Sequence, residues 1–176
     1  MNTLTLRRLP ALLLLFAGCE DMGVVSRQMQ DDDIKEAVFR YQLVYNNSGY
    51  IWNGNVAQEI SVFGFAAADL DPVDFIIRRF YDLDDAFYYQ RLVHLQRPAR
   101  KYSQLRNVLG APYYDLETGG QALLFWVGPI RWTSALQVEA EGGYYAGGRN
   151  SEKDVFFLSG YDDSWQVDSL RMRSGS

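Results

Sequence analysis

ALLFWVGPIRWTSALQVEAEGGYY, residues 122–145, is the stretch on which the fold class turns. Residues 122–132 are almost continuously apolar, which predicts a strand buried on both faces. From Leu136 onward the pattern alternates. Leu136, Val138, Ala140 and Tyr144 share one face, and Gln137, Glu139, Glu141 and Tyr145 share the other, the period of a half-buried strand. The glycine-rich run 142–148 lacks the Lys-Ser/Thr ending of a phosphate-binding loop and opens no evident helix. It predicts a bulge or tight bend before a hairpin.

Downstream, residues 155–158 and 165–172 predict a final strand pair around the turn Gly160-Tyr161-Asp162-Asp163-Ser164. Upstream, residues 56–65 and 87–96 read as strands. Residues 97–121 form a loop long enough that part of it carries a short strand or turn. Further upstream, Ile34, Val38, Tyr41 and Tyr45, widened by Ala37 and Val44, predict a helix over residues 31–45. Asp31, Asp32 and Asp33 suit its N-terminus, and Asn46-Asn47-Ser48-Gly49 ends it. A turn at Asn53-Gly54 follows. A second helix is predicted from Asp71-Pro72, with Val73, Ile76, Ile77 and Phe80 as its apolar face, stopping near Phe80 or Tyr81 ahead of Asp82, Asp84 and Asp85. Two early helices and then a run of strands is an α+β order. Its simplest packing lays two N-terminal helices on one curved antiparallel sheet.

The N-terminus has a different character. Arg7 and Arg8 precede the nine-residue apolar run 9–17, too short to span a bilayer at about 20 residues. A positive start, a short apolar core and small residues before a cut site describe an export signal. The small residues are Ala17 and Gly18, and Cys19, the single cysteine of the chain, follows directly. One thiol allows no internal disulfide. The expected organisation is therefore a signal peptide over residues 1–18, a lipidated polar tether over 19–30 and one α+β domain over 31–176. Without Arg7 and Arg8 the formal charge falls from −5 to about −7. That balance argues against nucleic acid as a partner, because such binding rests on basic patches. Aromatics at 15% suit a sheet-rich interior.

Leu15-Phe16-Ala17-Gly18-Cys19 resembles the lipobox of bacterial lipoproteins, with Phe16 where that family prefers leucine. The resemblance implies a diacylglycerol on the Cys19 sulfur, cleavage before Cys19 and acylation of the new amine by chains such as palmitate. Glu20 stands where an aspartate would retain such a protein at the inner membrane. The resemblance therefore implies the periplasmic face of the outer membrane in a Gram-negative cell. The order of elements resembles cystatin-like and nuclear-transport-factor-2-like folds. A group of uncharacterised exported bacterial proteins is also similar. The matching residues are Asp71-Pro72 with Phe75, Arg79 and Phe80; Thr118-Gly119; Trp132 and Ser134; residues 138–145; and Trp165-Gln166-Val167. That group implies no activity and no site residue.

Candidate chemistry is sparse. His94 is the only histidine and shares the face of Tyr88, Gln90, Leu92 and Gln96 in the expected strand. As a general base it needs a carboxylate or tyrosine partner. Zinc draws on several Cys and His side chains, which this chain lacks. Asp69, Asp71 and Asp74 are candidate calcium ligands. Counted from Asp69, the EF-hand glycine and glutamate positions hold Asp74 and Phe80, so that template fails. Glu139 and Glu141 share a face and suit a solvated edge, with Arg131 as a cross-strand partner, better than a glycosidase pair. No cofactor is called for. Three functions follow: a non-enzymatic envelope module binding a protein partner through a patch including Tyr113, Tyr114, Tyr144 and Tyr145; a carrier holding a small apolar ligand between helix and sheet against Phe125 or Trp126; and a nuclear-transport-factor-2-like enzyme using His94.

Overall fold

A computed structural model describes residues 19–46, 48, 50–52, 55–71, 77–94, 98–108, 111–147, 150–162 and 164–173. The expected signal peptide over residues 1–18, the expected turn at Asn53-Gly54, and Pro72, Val73, Asp74, Phe75 and Ile76 lie outside these residues. The chain forms α1 (Cys19–Val44), a small ribbon of β1 (Ile51–Trp52) and β2 (Asn55–Val56), then β3 (Ile60–Leu70) and β4 (Ile77–Tyr81). A helical turn α2 (Asp85–Phe87) continues as a π-turn over Tyr88–Leu92. Three short strands follow, β5 (Ala99–Lys101), β6 (Leu105–Asn107) and β7 (Tyr113–Asp115). Four long strands complete the chain: β8 (Gln121–Ser134), β9 (Gln137–Gly147), β10 (Asn150–Tyr161) and β11 (Ser164–Arg173).

The expected α+β arrangement, with two N-terminal helices on a curved antiparallel sheet in the cystatin-like or nuclear-transport-factor-2-like manner, is corrected by this architecture. One long helix lies on a nine-stranded mixed sheet ordered β11-β10-β9-β8-β3-β4, with β5 on β3 and β6-β7 on β8. β3 pairs with β8 and with β5 in parallel, so the sheet is not antiparallel throughout. The part of the expected second helix that lies among the described residues is not helical. Ile77–Tyr81 instead pairs antiparallel with residues 67–70 of β3. Its Ile, Phe and Tyr suit a strand, and the open edge of β3 supplies the ladder that local helix signals could not anticipate.

Over its described residues, 87–94, the expected strand 87–96 is also replaced. Asp84 accepts hydrogen bonds from the backbone N–H of Ala86 and Phe87 and so caps the turn that buries Phe87, Tyr88 and Leu92. The acidic cluster 82–85 therefore starts a helical turn rather than ending one.

α1 begins at Cys19, so the stretch expected to be a tether is helical. Asp31, Asp32 and Asp33 are mid-helix and hold partners instead of capping. Asp31 accepts from Trp132 Nε1 at 3.1 Å, Asp32 pairs with Lys35 at 2.9 Å, and Asp33 with Glu36 receives Arg91 at 2.6 and 2.8 Å. Ile34 and Val38 are buried as expected, but Tyr45 is exposed, and the buried stripe runs through Phe39 and Gln42. The helix ends as its sequence suggests, with Asn46 Nδ2 donating to the Gln42 carbonyl at 2.7 Å.

β8 carries the core. Leu123, Phe125 and Val127 face α1, while Ala122, Leu124 and Trp126 face away, and all six are buried. The expectation of a strand covered on both faces holds for this half of β8. On the helix side, Phe39 meets Phe65 edge-on at 5.1 Å and Phe63 meets Phe125 at 5.8 Å. On the other side, Phe80, Tyr102, Leu105 and Tyr113 cover Val62, Ala66 and Trp126. Asp115 anchors this cover. It accepts from Arg100 Nε at 2.8 Å and Nη2 at 3.2 Å, and from the Thr118 hydroxyl at 2.7 Å. The Arg100 hydrogen bonds, with those of Thr118, hold its carboxyl at about 2.

Gly142 and Gly143 sit inside β9 rather than at a turn. A Cβ on Gly143 would lie 2.0 Å from the Glu152 carbonyl oxygen, so glycine lets β10 approach at this point.

Phe39 is fully buried against Phe65. Phe39→Ala is expected to cost about 3–5 kcal/mol of stability, read as a lowered midpoint in equilibrium urea unfolding with little change in slope.

Candidate functional site

The groove that stands out lies on the sheet face away from α1, beyond the reach of the β4–β7 cover. A bulge in β8 creates it. Val127 pairs with Gly142 and Ile130 pairs with Ala140, so Gly128 and Pro129 together oppose Glu141 alone. Proline offers no N–H to the ladder, which makes it suited to a bulge. The extra residue reverses the parity of β8. Before it, odd-numbered residues face α1; after it, Ile130 and Trp132 do. Arg131 is thereby turned to the outer face, opposite Glu139.

The resulting groove has a volume of about 420 Å³. Leu70, Pro129 and Val155 give it apolar walls, and Asp71, Arg131, Glu139, Glu141 and Arg173 give it charge. Arg131 Nη2 donates to Glu139 Oε2, the cross-strand pair expected from the sequence. Glu141 lies between Lys153 Nζ at 3.4 Å and Arg173 Nη1 at 3.9 Å. Glu141 Oε2 is nonetheless buried without a hydrogen bond, because ion-pair proximity at these distances lacks hydrogen-bond geometry. Glu139 and Glu141 are two residues apart on one strand and flank nothing from opposite sides. The groove therefore suits recognition of a segment carrying apolar and charged groups together, rather than acid–base chemistry on a sugar.

A second polar cluster lies under α1. Asp154 is buried and pairs across the ladder with Gly142, over which the Gln42 amide is packed. Asp154 Oδ1 and Gln42 Oε1 both lack hydrogen bonds. Burial, with the nearby Glu152 carboxylate adding to it, pushes Asp154 up to about 7. Burial first, then the Glu152 and Asp154 charges, raises Tyr144 above the usual phenol range. Local sequence patterning does not single out Asp154. Its position in step with Phe156 and Leu158, both inward-facing, is the signal that marks it.

The other candidates are dispersed. Cys19 is the first residue of α1. His94 is exposed in the turn after Leu92 and does not line the groove. Asp69 pairs with Arg79 at 2.5 Å, Asp71 lines the groove, and Asp74 lies outside the described residues. No three Asp, Glu, His or Cys residues among those described are grouped to hold a metal. Tyr113 and Tyr144 are buried and Tyr145 packs on the outer layer, so three of the four tyrosines expected on a patch serve the interior, while Tyr114 is half-buried in β7. Phe125 and Trp126 are core residues on opposite faces of β8.

The folded state keeps a proton on Asp154 up to about pH 7, whereas an unfolded aspartate loses it near pH 4. Between those values the folded state binds more protons, so this group makes stability fall as pH rises, levelling off above about 7. Asp154→Asn removes the slope. Chemical denaturation should show the variant gaining about 2–4 kcal/mol on the wild type between pH 4 and pH 8.

No protein-family model matches the chain, and no curated protein or solved structure matches it either, so the meaning of the groove rests on its own geometry.

Proposed function

We propose that this protein is an envelope lipoprotein anchored through Cys19 and that its domain is a non-enzymatic binding module. The observation that carries the proposal is the run Leu15-Phe16-Ala17-Gly18-Cys19 after a positive start and a short apolar stretch, with the lone cysteine where lipidation requires it. One acyl chain binds a membrane marginally, whereas the two or three of a lipoprotein make a stable anchor. The groove over Glu141 is the receiving surface. Its supports are apolar walls with both signs of charge and a buried carboxylate oxygen without a hydrogen bond. The space between α1 and the sheet is packed with Phe39, Phe65 and Phe125, which favours a partner at the outer groove over a small apolar ligand inside.

Intact mass and detergent partitioning test the anchor. The wild type is expected to lose residues 1–18, gain acyl mass and enter the detergent phase, while Cys19→Ser stays aqueous. A wild type that stays aqueous with a free Cys19 thiol overturns the proposal. In a Gram-negative cell the wild type should fractionate with the outer membrane, and Glu20→Asp should move it to the inner membrane.

A further inference from the structure

The two hairpins that close the long strands meet at one end of the sheet. Leu136, in the β8–β9 turn, is 62% exposed, and Tyr161, the last residue of β10, is 56% exposed. Both sit at the same end of the sheet: Leu136 lies with Trp165 on the α1 face, and Tyr161, next to the α1-facing Gly160, turns to the other face. The Gly160 N–H donates to the Leu136 carbonyl at 2.9 Å. A Cβ built on Gly160 would lie 3.4 Å from Trp165 Cζ2 and 3.5 Å from Leu136 Cδ2, so those side chains converge there. Trp165 in turn meets Trp132 edge-on at 5.3 Å. Leucine and two half-buried tryptophans thus converge on the α1 face of this end, with tyrosine at its rim, while the other large exposed apolar residues among those described are spread over α1, the turns and the strands.

That end is also where α1 begins. Asp31 holds the Trp132 indole and Arg27 stacks on the same ring at 5.0 Å, while Gln42, far along the helix, reaches the Trp126 carbonyl. The helix axis therefore runs from the hairpin end toward the opposite end. The turns from Asp31 back to Cys19 extend it by about 18 Å at roughly 1.5 Å per residue. A lipid on Cys19 thus puts the bilayer on the hairpin side, and a helix tilted toward the surface brings the hairpins into the headgroup layer. Tryptophan and tyrosine favour that layer because each has an apolar body and a polar tip.

We propose that this end of the sheet, with Leu136, Trp132 and Trp165 on the α1 face and Tyr161 at the rim of the other, docks on the lipid bilayer of the membrane that holds Cys19, so that the domain is oriented on the membrane and not merely tethered to it. The proposal rests on the lipid-anchor reading. It accounts for a large exposed leucine and tyrosine at adjoining turns, and it points the opposite end of the sheet away from the membrane. Insertion is driven by apolar burial and not by charge, in keeping with the acidic balance of the chain.

The test uses the full-length lipidated protein in phosphatidylcholine vesicles, where charge attraction plays no part. An acylated Cys19 has no free thiol, so Leu136→Cys supplies the one position that takes a thiol-reactive, polarity-sensitive fluorophore. Leu116→Cys, exposed in the turn before β8 at the other end of the sheet, is the control. On reconstitution, the label at position 136 is expected to shift to the blue and rise severalfold, while that at 116 stays unchanged. Tyr161→Glu in the Leu136→Cys background should reduce the shift while vesicle retention persists. Vesicle-bound protein with an unshifted label at 136, or equal shifts at both positions, overturns the docking surface and leaves the anchor standing. Labelling of wild-type Cys19 with no vesicle retention sinks the anchor reading itself.

Discussion

The first half of β8 is buried on both of its faces, and most of the structure can be understood as covering it twice. A strand rich in Leu, Phe, Trp and Val on alternate sides has no face to give to water. α1 lays Ile34, Val38 and Phe39 on one side. β4, the 3-10 turn after β5, β6 and β7 supply Phe80, Tyr102, Leu105 and Tyr113 to the other. Pairing β8 in parallel with β3, itself apolar on both faces, follows from the same need. Where the outer cover ends, β8 changes character, and the Gly128-Pro129 bulge turns Arg131 outward to open the groove.

Charged side chains fix where each cover sits. Arg91 joins the π-turn to Asp33 and Glu36 of α1. Arg100 joins β5 to the nearly inaccessible Asp115 carboxylate, with a two-pronged geometry that a lysine could not reproduce. These ties are partly buried, which distinguishes them from exposed pairs such as Arg79–Asp69. Asp154 and Gln42 differ again, since each keeps a buried oxygen without a hydrogen bond. The outer edge of the sheet is blunted as well. Asp168 is the extra residue of a bulge between β10 and β11 and accepts from Ser159 Oγ at 2.6 Å, which disturbs a ladder that another chain could otherwise extend.

The groove and the hairpin surface lie on different parts of the sheet, and their separation follows from its construction. The hairpin end carries Leu136, Trp132 and Trp165 on the α1 side, where the two tryptophans continue the core outward, and Tyr161 on the other. The groove belongs to the opposite face, with Glu141 on its floor and the cations of β10 and β11 beside it. A domain oriented by the first presents the second from the side of the sheet that α1 leaves uncovered.

Several features were legible in local order because their causes are local. Period-two alternation over residues 136–145 marked β9, and the Asn46-to-Gly49 signals marked the end of α1. Arg131 was matched to Glu139 by strand adjacency alone, and the lipid-anchor proposal comes wholly from a linear motif. Other features depended on partners distant in the chain. Ile77–Tyr81 carries helix signals but found an open strand edge on β3. Asp84 had to be known as a cap before 85–92 could be recognised as helical. The tyrosines at 113, 144 and 145 looked free until strands enclosed them. The sequence by itself determined which segments were apolar, many of the places where the chain turns, and the single cysteine on which the anchor proposal rests. The tertiary structure decided which faces those segments cover and where the groove opens, because burial and strand pairing are settled between segments and local propensity is too weak to choose among them.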